Sequence, residues 1–163
     1  MKTITVEPLT ATEFAPYGNV IEISKDAQSF AINAGTTQRF HDLAHVTVSG
    51  KNARPIISMA RAQPFHFPIK LTMLERHPDG SQAFIPVTPT RFLVVVAKDK
   101  NGTPFNPRAF LAGPGQGINY FQNTWHGVLS ALDVVTDFII VDRAGDGENL
   151  QIHEISEPYE IVL

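Results

Sequence analysis

The chain contains no cysteine among its 163 residues. That absence removes disulfides, thiolate nucleophiles and cysteine-based zinc sites, and leaves histidines, carboxylates and amides as candidate ligands. An excess of positive charge is also missing. The formal net charge is −3, and Lys and Arg are scattered rather than gathered into runs. This argues against a nucleic-acid binder, which carries a basic face. Long hydrophobic runs are absent too: Phe92 to Ala97 and Phe138 to Val141 are far too short to span a bilayer. The N-terminal Met1 to Glu7 alternates like a strand and lacks the apolar centre of a signal peptide, so a cytoplasmic protein is expected. Helix signals are few. Thr10-Ala11-Thr12-Glu13-Phe14 resembles a capping box that Pro16 cuts short, and Pro104 to Arg108 is expected to add one helical turn.

What is present is a β pattern. Hydrophobic residues make up 43% and charged residues 18%, as in an ordinary globular protein, and the length suits one domain over 1–163. Phe92 to Ala97 is β-branched and apolar throughout, which predicts a strand buried on both faces. The polar Lys98 to Gly102, with its Asn-Gly step, supplies the exit turn. Further strands are predicted at 18–23, 43–47, 56–60, 70–77, 82–87, 108–111, 118–123, 136–143 and 152–155. The Gly-rich 113–117 lacks the Lys-Ser/Thr of a phosphate loop and reads as a turn, as does 145–147. Short strands punctuated by Pro and Gly predict an all-β sandwich or small barrel, of which a jelly-roll barrel has a mouth where polar groups converge.

One stretch carries the chemistry. Glu75 and His77 are two apart, which on a strand places both on one face. Pro78-Asp79-Gly80 turns the chain, and Gln82 re-enters where it can face the same spot. A carboxylate, an imidazole and a carboxamide are costly to bury together unless a metal or a polar substrate satisfies them. The alternative is an exposed hairpin with solvated side chains. His126, beside the only tryptophan, Trp125, is the distant residue that a barrel would bring to them; a packed barrel edge is its structural alternative.

The segments Arg39 to Ala44, Glu75 to Pro78, Gln82 to Pro86, Asn119-Tyr120, Trp125-His126 and Val135 to Phe138 occur in an order that resembles the ureidoglycolate lyases. These enzymes belong to the cupin superfamily, so the resemblance implies a double-stranded β-helix with one or two short helices. It implies a carbon–nitrogen lyase that splits (S)-ureidoglycolate into glyoxylate and urea in purine (allantoin) catabolism. Glu75, His77, Gln82 and His126 stand at the cupin ligand positions. Glu75 replaces a common His and Gln82 a common Glu, which weakens a divalent-metal site. The family has been associated with such a metal, nickel among those proposed, and metal-free chemistry with Glu75, His77 and His126 acting as base and acid is the other option. The substrate carboxylate calls for a guanidinium, with Arg39 and Arg61 as candidates, while Arg76 points away from Glu75 and His77. His41 shares a strand face with Arg39 and either lines the pocket or bonds Asp42. Tyr120 is taken into the substrate site through the resemblance.

His45, His66 and His153 read as structural or exposed, and Asp137, among apolar neighbours, as a buried hydrogen-bonded carboxylate with a site role as the second reading. Two other functions fit the same residues: a metal-dependent dioxygenase of the cupin type, or a non-catalytic small-molecule binding cupin. A homodimer is expected, with the N-terminal strand and the apolar tail 159–163 as contact elements.

Overall fold

A computed structural model describes residues 2–163. Its elements in chain order are β1 (Lys2–Thr5), β2 (Glu7–Pro8), α1 (Ala11–Phe14), β3 (Gly18–Ile21), β4 (Ser29–Ile32), β5 (Thr37–Phe40) and β6 (Arg54–Ala62). There follow β7 (Ile69–Arg76), β8 (Gln82–Pro86), β9 (Phe92–Lys100), β10 (Thr103–Ala112) and β11 (Gly117–Tyr120). The chain closes with β12 (Trp125–His126), β13 (Ser130–Ala131), β14 (Thr136–Ala144) and β15 (Gln151–Val162). Among the described residues no helix is long and apolar enough to cross a membrane.

The strands form two main sheets. One runs β1-β15-β7-β12-β9-β10-β2, with β13 also on β9; the other runs β3-β11-β8-β14-β6. Neighbours are far apart in sequence, as β7 with β12 and β8 with β14, so the chain winds back and forth between the sheets as in a double-stranded β-helix. Strand alternation explains the core. Phe92, Val94 and Val96 of β9 join Phe110, Phe84, Ile118, Tyr120 and Phe138 in one cluster, closed by Leu9, Phe14 and Tyr17. Leu93, Val95 and Ala97 point the other way into a second cluster with Ile4, Ile69, Leu71, Trp125 and Ile161. Phe92 to Ala97 is therefore buried on both faces, as its composition predicts.

Three local expectations change. Pro104 to Arg108 belongs to β10 rather than a helix; a register shift between Phe105 and Arg108 accommodates Pro107 and the left-handed Asn106 (φ 51°). The segment 43–47 is no strand. It starts from left-handed Asp42 (φ 55°), its His45 carbonyl accepts from the Asn119 side chain, and Leu43 lines an apolar groove with Ile21 and Ile85. Leu43 packs over the second sheet instead of pairing in it, while Val46 is exposed. The tail is not an open edge either, because β1 pairs with β15 in parallel, Lys2 opposite Tyr159 through Thr5 opposite Val162.

Thr10 caps α1, its Oγ1 accepting from the Glu13 amide at 3.2 Å. The Glu13 carboxylate does not reach back to complete a capping box. It accepts from Arg108 at 2.7 Å, and Glu7 accepts from the same guanidinium. The hairpin β4–β5 forms a separate two-stranded sheet, turned by Asn33, Ala34 and Gly35, all at positive φ.

Candidate active site

Glu75 is the penultimate residue of β7, and His126 on β12 lies opposite it in register. Opposed residues point to the same face, so both side chains enter the space between the sheets. His77 follows two residues after Glu75, and the imidazoles of His77 and His126 lie 5.2 Å apart between ring centres. One ligating atom from each of Glu75, His77 and His126 lies within 4.8 Å of the others. Gln82, at the start of β8, faces Asp142 of β14, with its Nε2 donating to Oδ2 at 3.2 Å.

Second contacts orient these groups. His77 Nδ1 lies 2.8 Å from the Asn149 carbonyl and His126 Nδ1 lies 2.9 Å from the Gly127 carbonyl. A carbonyl only accepts, so each Nδ1 carries a proton and each Nε2 is the ring atom left to face the cluster. The Asn149 side chain accepts from the Asp79 amide at 2.7 Å and fixes the turn after His77. Tyr120 stacks flat on His126, with ring centres 4.3 Å apart and planes 7° from parallel. Among the described residues, four buried acceptors of these side chains have no partner: His77 Nε2, His126 Nε2, Gln82 Oε1 and Asp142 Oδ1.

Burial sets the electrostatics. It pushes the Glu75 carboxyl above its ordinary range, and the neighbouring His77 only partly opposes this. It pushes His126 down to about 3, against the Gly127 carbonyl. Tyr120 is raised by burial and by Glu75. The donor set fits a divalent metal: two imidazoles whose Nε2 atoms have no partner, each held by an Nδ1 to carbonyl contact, beside one carboxylate.

Glu75, His77 and His126 thus meet at one place, Tyr120 is buried against His126, and Gln82 stands opposite Tyr120 in the β8–β11 ladder. The arginine candidates lie elsewhere in the chain. Arg61 is on the outer face of β6, bonded twice to half-exposed Asp137 at 2.8 and 3.0 Å. Arg39 is exposed on β5, and His41 packs against Phe30, ring centres 5.5 Å apart. Arg76 faces away from Glu75, over the Trp125 ring and onto Asp99. Sequence reasoning missed Asp142 and Asn149. Asp142 is two and four residues beyond Ile140 and Phe138, and that period of two places it on the inward face. Asn149 sits in a loop and acts largely through its backbone carbonyl, which leaves no trace in side-chain pattern.

Fold and site together define an all-β, barrel-like protein with a His-His-carboxylate cluster between its sheets. A family model for ureidoglycolate lyase matches residues 1–162, and the chain belongs to that family. It is 56% identical over 163 residues to a ureidoglycolate lyase of Chelativorans sp. (strain BNC1), covering 100% of this chain and 98% of that one. A Mesorhizobium japonicum ureidoglycolate lyase is 53% identical over 100% of this chain and 99% of its own. Ureidoglycolate lyase 2 of Rhizobium meliloti is 50% identical, covering 99% and 98%. Among solved structures, a dTDP sugar isomerase from Desulfovibrio desulfuricans G20 superposes with a TM-score of 0.48 at 12% identity, covering 83% and 84%.

Proposed function

We propose that the protein cleaves (S)-ureidoglycolate to glyoxylate and urea, with Glu75 as the proton-transfer group. The observation that carries this reading is the set of four unpartnered buried acceptors. A ureido group offers N–H donors on both nitrogens, and Gln82 Oε1 and Asp142 Oδ1 are suited to accept them. The reaction removes the carbinol proton, forms the aldehyde C=O, and breaks the C–N bond with its electron pair going to nitrogen. Glu75, made more basic by burial, takes the hydroxyl proton and then delivers it to the departing nitrogen. His126 does not serve as the acid, since burial keeps it neutral. It offers an Nε2 lone pair, as does His77.

A divalent metal held by His77, His126 and Glu75 would act as a Lewis acid on the substrate oxygen. Nickel is one candidate ion. The reading extends to one domain of 163 residues acting in the cytoplasm on a small metabolite, and the full-length family match supports it. Replacing Glu75 by Gln keeps the shape and removes the base. The expected loss in kcat is ~10²-fold or more at a largely unchanged KM. A Glu75→Gln enzyme with wild-type kcat would rule out this assignment.

A further inference from the structure

The substrate of the proposed reaction is an acid, yet its site lacks a protein cation. Among the described residues no Lys or Arg is hydrogen-bonded to or ion-paired with Glu75, His77, Gln82, His126 or Asp142. Of the two arginines expected to hold the carboxylate, Arg61 is taken by Asp137. Among the described residues the Arg39 side chain has no hydrogen-bond or ion-pair partner. It rides on the β4–β5 hairpin, whose hydrogen bonds all fall within residues 28–41. Both strands are exposed over most of their length, and Phe30 is 40% exposed. A lone two-stranded hairpin is marginal in water, so this one calls for a surface to pack on.

The barrel offers that surface next to its mouth. β6 is an outer strand with one edge unpaired, and Ile57 and Met59 on it are 77% and 65% exposed. Such an edge is a template for association. It also borders the site, because Asp142 lies opposite Ile56 in the β6–β14 ladder. Residues 29–41 contain one arginine and no acidic residue, while the site presents Glu75 and Asp142, so arm and mouth are complementary in charge.

We propose that the β4–β5 hairpin is an intersubunit arm: in a homodimer it lies on the β6 edge of a second copy, Phe30 against Ile57 and Met59, and delivers Arg39 to the substrate carboxylate in that copy's site. A guanidinium bonds a carboxylate bidentately, so the arm supplies acid recognition that one chain by itself lacks. The ligand's identity rests on the lyase reading; the geometry of the arm does not.

Two experiments test the arm. Differently tagged Arg39→Ala and His126→Ala chains are co-expressed and the mixed dimer is purified through both tags. Each parent is expected to be impaired, Arg39→Ala through a KM raised ~10-fold or more. The mixed dimer has one intact composite site, so it should recover about half of the wild-type rate. No recovery, or an unchanged KM for Arg39→Ala, overturns the proposal. The second experiment is independent of activity and uses the cysteine-free background. Phe30→Cys and Met59→Cys proteins are mixed and oxidised; a covalent dimer that needs both variants is expected, and its absence overturns the arm. A wild-type protein inert toward ureidoglycolate that still gives this cross-link would sink the lyase reading and leave the arm standing.

Discussion

At the level of single residues, the account depends on two imidazoles held by backbone carbonyls, of which burial keeps His126 neutral. His126 is depressed in the folded protein, so its contribution to stability is complete above the ordinary histidine value near 6.5 and is lost as pH falls toward about 3. Glu75 is raised and works in the opposite sense. Its contribution is complete below the ordinary carboxylate range and is lost as pH rises through its folded value. In metal-stripped protein, nitrogen NMR should show His126 as the Nδ1–H tautomer and unprotonated at pH 5; protonation near 6.5 would contradict the burial argument. Replacing His126 by Phe should flatten the acid side of the stability profile, measured by urea midpoints. Calorimetric titration of chelator-treated protein with nickel alone should show one site per chain, lost in His126→Ala. Heat from that variant equal to wild type would remove His126 as a ligand. Much of this site was legible in the sequence: Glu75 and His77 declare a shared face by spacing, and the turn at Pro78 to Gly80 returns Gln82 to it. The backbone carbonyls of Asn149 and Gly127 were not, since any residue could supply them.

At the level of elements, the barrel was legible wherever strand composition and burial agree, as in β9. It was not where tertiary packing overrides local signals. Pro104 and Pro107 suggest a helix start, yet a bulge lets β10 absorb both against β9. The β4–β5 hairpin gave no signal because its exposed residues show no alternation of apolar and polar. β3 and β11 approach each other closely at Gly18. Gly18 pairs with Tyr120, and a Cβ there would run into the backbone carbonyl of Asn119 and crowd the Phe14 ring. Replacing Gly18 by Ala should push β3 off β11 and cost about 1–3 kcal/mol, the range for overpacking, read by urea denaturation. Because Tyr120 stacks on His126, kcat should fall with it. A variant as stable as wild type would show that β3 can shift freely, against the packing described here.

At the level of the whole molecule, two sheets wound from one chain bring residues 75, 77, 82, 126 and 142 to one mouth, an assembly that none of the segments could make alone. Membership in the ureidoglycolate lyase family and the acceptor-rich site point to the same substrate, a small acid bearing a ureido group. The Arg39 arm extends the same logic to a second copy, with the acid end of the substrate read across the subunit boundary. The most direct test of the central claim is a product assay on purified protein with (S)-ureidoglycolate, scoring glyoxylate, urea and ammonia together. Proton transfer by Glu75 without hydrolysis predicts glyoxylate and urea in equal amounts and no ammonia. Ammonia in place of urea, or no turnover with any divalent metal added, would contradict it.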